Sequence, residues 1–250
     1  MLLCKKLFGT SGREIGGTVN NKITLYHGSQ QVIEKPQYGV GNIHNDYGLG
    51  FYCTASEELA CEWACTAERD GFANAYELDT TGLTVLRLTN GEYHILNWLA
   101  VLLENRTFRV REEIAKRAKE YILEYFAVDY KAYDIIKGYR ADDSYFSFAS
   151  AFLHNTISLK QLEKAMVLGK LGEQIVPRTE KAFEALTFQG ARVVDKEVYY
   201  PRKMARDNAA RTAFQSEKKV GFLEEENYVL DIMRGRWKND DPRLQRVVLG

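Results

Sequence analysis

The chain has 250 residues, with 34 Lys+Arg against 34 Asp+Glu, 45% hydrophobic and 12% aromatic content and Pro 4. This is enough apolar material to bury one large core, and it excludes a disordered polar chain or a Pro-rich stalk. Zero formal net charge argues against a protein that coats nucleic acid or a membrane surface through bulk charge.

No run approaches the roughly 20 apolar residues of a bilayer span, and Met1 to Phe8 is too short for a secretory signal. The expectation is a cytoplasmic protein with no membrane partner. Cys4, Cys53, Cys61 and Cys65 follow no disulfide framework, and Cys61 and Cys65 have no nearby His or second Cys pair to complete a zinc site. Reduced thiols and no metal are expected.

Residues 1–22 hold scattered Gly and Asn without period and read as a lead-in segment. Ile23-Thr-Leu-Tyr-His27 alternates like a half-buried strand and stops at Gly28-Ser29, a turn signal. The Gly-rich run from Glu34 to Gly50 reads as a loop ending in a short strand, Phe51-Tyr-Cys-Thr54. Thr54-Ala-Ser-Glu57 carries a capping-box pattern and Ser56 with Glu57 and Glu58 is an equally good N-cap with first-turn acids, predicting a helix to about Arg69 whose inner stripe holds Leu59, Ala60, Trp63, Ala64 and Ala67.

Strands are predicted at Ala73 to Leu78 and Leu83 to Leu88, and helices at Tyr93 to Glu104 and Val110 to Phe126. Tyr133 to Gly138 reads as a strand, and Ser144 to His154 and Leu159 to Leu168 as helices. Glu173-Gln-Ile-Val176 reads as a strand, Glu180 to Leu186 as a helical turn and Ala191 to Tyr200 as extended. Lys203 to Lys219 and Phe222 to Trp237 are charge-rich with a helical period, so 23–200 reads as the main domain and 201–250 as a helical appendage.

Three pieces stand out: Leu25-Tyr-His-Gly-Ser29, then Gly48-Leu-Gly-Phe-Tyr-Cys-Thr54 with Trp63, then Gly172-Glu-Gln-Ile-Val176. Together they resemble the catalytic domain of the ADP-ribosyltransferases, on the diphtheria-toxin and poly(ADP-ribose) polymerase side. That pattern has a His on the first strand, a Tyr in Gly-x-Gly-hydrophobic-Tyr, a later aromatic on the next helix, and an acid opening a late strand. His27, Tyr52, Trp63 and Glu173 fall on those positions. A closer likeness is to a family of uncharacterised bacterial proteins with Leu-Tyr-His-Gly-Ser, Asp-Phe/Tyr-Gly-x-Gly-Phe-Tyr and Ala-Asp-Asp, matched here by Asp46 to Tyr52 and Ala141-Asp142-Asp143. The resemblance spans about Ile23 to Phe188.

The resemblance implies an α+β fold of the ADP-ribosyltransferase type, with two small, mostly antiparallel sheets around an NAD cleft, flanking helices and the helical appendage. It implies an NAD-dependent ADP-ribosyltransferase that releases nicotinamide and modifies a macromolecular acceptor, protein or nucleic acid, in a bacterial toxin or conflict setting. An NAD glycohydrolase and a catalytically weak NAD-binding module, with a protein partner on the C-terminal helices, are the alternatives. His27, Gly28, Ser29, Tyr52 and Trp63 are the implied binding residues. His27, Tyr52 and an acid are the implied catalytic set, NAD being the substrate and no metal taking part.

The residue types suit that chemistry. Cleaving the nicotinamide–ribose bond passes through an oxocarbenium-like centre, which a carboxylate stabilises, and aromatic faces hold a cationic ring. Glycine at position 28 lets the backbone come close to a carboxamide. Glu173 and Gln174 compete for the catalytic position: they point to opposite faces of a strand, charge favours Glu173, and the uncharacterised family favours glutamine at Gln174. Leu171, where arginine-specific relatives carry a second acid, argues against a guanidinium acceptor. His44, His94 and His154 read as structural histidines.

Overall fold

The alternation read in Ile23 to His27 builds strand β1 (Lys22–Ser29), which pairs antiparallel with β2 (Gly71–Asp79). The far edge of β2 takes β6 (Leu186–Val194), also antiparallel, to give a sheet of order β1-β2-β6. A second sheet, β3-β4-β5, pairs β3 (Val85–Arg87) parallel and β5 (Glu173–Pro177) antiparallel with β4 (Ile135–Tyr139). In this computed structural model the described residues are 21–107, 110–140, 143–167, 172–219, 221 and 223–244. The expected lead-in up to residue 20, with Cys4, and the positions of Asp142 and Leu171 lie outside them.

Each sheet has a reason to lie where it does. Leu25, Tyr76 and Leu78 of the first sheet meet Ile135 and Ile175 of the second in one buried cluster with Phe51, Cys53 and Ala182. The outer side of the first sheet is covered by α1 (Glu57–Ala64), through Ala60, Cys61 and Ala64 against Ala73 and Val194. Ser56 caps α1 by accepting from the Leu59 N–H, and Glu57 and Glu58 sit in the first turn, where the helix dipole favours acids. The helix ends at Ala64, short of the expected Arg69, because Thr66 turns the chain with its hydroxyl on the N–H groups of Glu68 and Arg69.

The largest cluster joins Leu86, Ile136 and Val176 to α2 (Ile95–Asn105), α3 (Glu113–Tyr125), α4 (Asp143–Leu153) and α5 (Leu159–Val167). A short helix, α6 (Glu180–Glu184), capped by Thr179, connects β5 to β6. The fold is therefore α+β with two small sheets, and one pair of strands in it is parallel.

Beyond residue 194 the chain departs from the sequence expectation. Residues up to Tyr200 are not extended: α7 (Lys196–Lys219) starts at Lys196, with the Asp195 side chain taking the Glu197 N–H at 2.8 Å. Pro201 is the sixth residue of this helix, past its first turn, and leaves the Glu197 carbonyl without its i→i−4 donor. The boundary expected between residues 200 and 201 thus lies inside a helix. Phe214 of α7 and Val229 and Ile232 of α8 (Val229–Arg234), with Trp237, belong to the largest core cluster, and Phe214 packs on Phe148 at 3.8 Å between ring centres. Phe214, Val229, Ile232 and Trp237, all beyond residue 200, therefore supply part of the main core. Among the described residues no helix is long and apolar enough to cross a membrane.

Candidate functional site

The two sheets are stitched edge to edge by the segment Phe51–Thr54. Thr54 exchanges backbone hydrogen bonds of 2.8 and 2.9 Å with Tyr26 of β1, while Cys53 exchanges bonds of 3.0 and 2.9 Å with Ile175 of β5. Phe51 N–H donates to Pro177 O at 2.9 Å. This segment brings the ends of β1 and β5 to either side of Tyr52, and with them His27 and Gln174, which are far apart in sequence.

His27 is half-buried and stacked on Phe51, with 4.4 Å between ring centres. Its Nδ1 lies 2.7 Å from the carbonyl oxygen of Tyr52. A carbonyl only accepts, so Nδ1 carries the proton and Nε2 of the neutral ring is left as an acceptor. Burial holds the imidazole below its ordinary value of 6.5, the hydrogen bond to Tyr52 opposing this more weakly.

Tyr52 closes its own loop. Its hydroxyl donates to Gly48 O at 2.6 Å and accepts from Tyr47 N–H at 3.0 Å, and burial raises its pKa far above the usual phenol range. Gly48 has φ +72, and a Cβ there would meet Asn105 Oδ1 of α2 at 2.6 Å. The loop is further pinned to that helix end by Asp46, whose carboxylate takes Arg106 Nε at 2.9 Å. The Gly-x-Gly-Phe-Tyr motif therefore builds a rigid turn on α2, and its tyrosine offers a ring, with the hydroxyl already engaged.

Gly28 has two reasons to be glycine. A Cβ would fall 2.1 Å from Ala60 O and 2.8 Å from Ala64 N, so α1 packs directly on its backbone. In addition, Tyr26 turns its N–H and C=O toward Thr54, away from β2. Strand alternation turns those of Gly28 the same way, past the end of the bridging segment and toward the cavity that Gly28 lines. Ser29 does not line this cavity: its hydroxyl donates to Gln31 O at 2.6 Å and accepts from Gln31 N–H at 3.0 Å in a local turn.

The cavity has a volume of about 900 Å³, within the range of small-ligand sites, and its wall includes His27, Gly28, Tyr52, Trp63 and Gln174. Glu173 is not part of it. Adjacent residues of β5 point oppositely, so Gln174 looks inward while the Glu173 carboxylate accepts the Thr89 hydroxyl. Of the two residues weighed for this position, Gln174 rather than the charge-favoured Glu173 is the one that lines the cavity. The Gln174 side chain is 6% exposed, and its Oε1 has no hydrogen-bond partner among the described residues.

Trp63 also differs from expectation. It lines the cavity, but the Arg140 guanidinium carbon lies 3.6 Å from the centre of its ring. One aromatic face is thus taken by a cation of the protein. Arg140 was not singled out in the sequence; its signal was its position between β4 and the Ala-Asp-Asp motif. Asn74 was also missed: fully buried on β2, it donates to His27 O and Gln31 O at 3.2 and 3.1 Å and accepts from Ile33 N–H at 2.9 Å. It fixes the loop after β1 that forms the cavity's other wall. Among the described residues no group of three or more His, Cys, Asp or Glu is placed to hold a metal.

Residues 23–188 match the model of the family described as "Protein of unknown function (DUF3990)". The chain belongs to this family, whose matched segment contains β1 to β6 up to Phe188 and every cavity residue discussed above. No curated protein and no solved structure matches the chain.

Proposed function

We propose that the protein binds NAD in this cavity and transfers its ADP-ribosyl group, with Gln174 as the polar side chain beside the scissile bond. The observation that carries this reading is the convergence of His27, the open backbone edge of Gly28, the Tyr52 ring and Gln174 on one cavity. The Gly28 N–H and C=O suit a carboxamide, which needs one acceptor and one donor. The His27 Nε2 accepts from a ribose hydroxyl, and the Tyr52 ring packs on the nicotinamide.

In this reaction the bond between nicotinamide N1 and ribose C1′ breaks with its electron pair leaving on nitrogen, which neutralises the pyridinium. The ribosyl cation is captured by an acceptor that gives up a proton. Gln174 Oε1 is the negative end of an amide dipole and stabilises that cation less than a carboxylate would. Turnover is accordingly slow.

A second reading, an NAD-binding module without turnover, is favoured by one observation: the Glu173 carboxylate is engaged by Thr89 away from the cavity. Calorimetry with NAD, followed by chromatographic detection of nicotinamide, tests both. Binding with nicotinamide release supports turnover, and transfer of labelled ADP-ribose to an acceptor separates the transferase from a glycohydrolase. Binding without release leaves the module, and no binding at millimolar NAD removes both.

A further inference from the structure

We propose that Glu34 is the general base of the transfer: its carboxylate takes the proton that the acceptor gives up, and the acceptor is accordingly a hydroxyl group. This rests on the transferase reading above and adds to it the fate of the proton and the class of acceptor.

Few side chains on the cavity wall can take a proton at neutral pH. Lysine and arginine already carry theirs. The Asp46 carboxylate is almost fully buried and bonded to Arg106 at 2.9 Å, and the Tyr52 hydroxyl donates to Gly48 O. His27 Nε2 is committed to the ribose, and burial weakens its ring as a base. Glu34 remains: it lines the cavity, is exposed, and makes no hydrogen bond or ion pair among the described residues.

The backbone leading into Glu34 is fixed relative to His27. Two fully buried side chains of β2 hold Ile33: Asn74 accepts its N–H at 2.9 Å, and the Tyr76 hydroxyl donates to its carbonyl at 2.5 Å. Asn74 also donates to His27 O at 3.2 Å, so one amide ties the histidine to the loop that carries Glu34. The Tyr76 ring packs edge-on against Phe51, which stacks on His27. Two residues beyond Glu34, Pro36 restricts the chain again. Depth then separates the two polar groups: Gln174 is 6% exposed and lies deep, whereas Glu34 is open to solvent at the mouth, where a macromolecule can reach.

In the step, the acceptor oxygen bonds to ribose C1′ and its proton passes to a Glu34 carboxylate oxygen. The electron pair of the C1′–N1 bond leaves on nicotinamide, and solvent later takes the proton from Glu34. A carboxylate or phosphate acceptor has no proton to give and is repelled by Glu34. A lysine or arginine acceptor must lose its proton before it can attack, which a carboxylate is too weak a base to bring about. A hydroxyl attacks first and turns acidic as its oxygen bonds to C1′, so a weak base suffices.

Product analysis with labelled NAD on the full chain tests this in a mixture of two probes: methanol as the hydroxyl, and azide as an acceptor with no proton to lose. Glu34→Gln is expected to lower the ratio of methyl ADP-ribose to ADP-ribosyl azide by about a hundredfold, with NAD affinity within about twofold of wild type. Glu34→Asp should recover part of the ratio. In deuterated solvent the wild-type ratio should fall, and that fall should be absent in Glu34→Gln, a readout that mere repulsion of azide by Glu34 does not move. An unchanged ratio in Glu34→Gln, or a wild-type ratio indifferent to deuterium, overturns the proposal and keeps the transferase reading, since both products require cleavage of NAD. A wild type that forms neither product and releases no nicotinamide removes the transferase reading and the base with it.

Discussion

The imidazole of His27 donates from Nδ1 to the carbonyl oxygen of Tyr52 across a 2.7 Å gap. This one bond fixes the tautomer of the first motif with the backbone of the second, so the two motifs are parts of a single device. It also makes the site sensitive to acid. The folded-state pKa of His27 is lowered by burial, so folding favours the neutral ring. That contribution is complete above the ordinary imidazole value of about 6.5 and is lost as pH falls from there through the lowered folded value. Melting curves between pH 5 and 8 should therefore fall more steeply on the acid side for wild type than for His27→Asn. Parallel curves would remove His27 as a contributor.

Exchanging the β5 residues that face the cavity and face away separates charge from position. Gln174→Glu places a carboxylate on the cavity wall and should speed nicotinamide release by about tenfold or more over wild type. Glu173→Gln should change release by less than about twofold, since its effect is confined to the Thr89 contact. A large loss in Glu173→Gln together with no gain in Gln174→Glu would show that the acid, not the amide, serves the reaction.

Gly28→Ala tests the structural reason for the motif's glycine. The new methyl would collide with the Ala60 carbonyl of α1, and such overpacking costs about 1–3 kcal/mol. Urea denaturation should detect the loss with or without NAD. A variant as stable as wild type would mean that α1 yields easily at this contact.

Ending the chain at residue 200 should abolish cooperative folding. The truncation removes Phe214, Val229, Ile232 and Trp237 from the largest core cluster. It also removes Arg206, which pairs with the almost fully buried Glu62 through bonds of 2.8 and 2.9 Å. Losing one partner of a buried pair leaves a desolvated charge behind. The milder Arg206→Met should lower stability by about 2 kcal/mol, less than for a fully buried arginine because Arg206 is partly exposed. A soluble, cooperatively melting 1–200 fragment would contradict this account.

Much of the fold could be read from periodicity and caps. Ile23 to His27 alternates, Ser56 is a cap with acids behind it, and the long apolar stretch from Ile95 to Leu103 is the core helix it reads as. The cavity motifs were also legible, because turn glycines and aromatics at fixed spacing leave a local signature. What periodicity could not supply was register and long-range stacking. Which of Glu173 and Gln174 faces inward is set by the pairing of β5 with Cys53 and Gly138, which no local window contains. Arg140 on Trp63 joins residues from different elements, and neither shows the pairing in its own surroundings. Val198, Tyr199 and Tyr200 look like a strand in isolation, but they lie in the first turns of α7, which the Asp195 side chain opens by accepting the Glu197 N–H.

Gly138 stands opposite Gln174 in the ladder, and the space of its missing Cβ is filled by the Tyr47 hydroxyl, 2.3 Å from where that atom would be. Tyr47 in turn donates to Tyr139 O at 2.5 Å and accepts from Trp98 Nε1 at 3.0 Å. A tyrosine in the loop before the bridging segment is thus keyed into a notch in the middle strand of the second sheet, as a pin holds a sliding bolt. Two chemistries, an amide and an acid, lie one residue apart on β5, and slippage would be the simplest route between them. Pairing on both sides of β5, with β4 through Gly138 and with the bridging segment through Cys53, closes that route: a one-residue shift would break both at once, so a lineage changing the group at the cavity must replace the side chain at position 174.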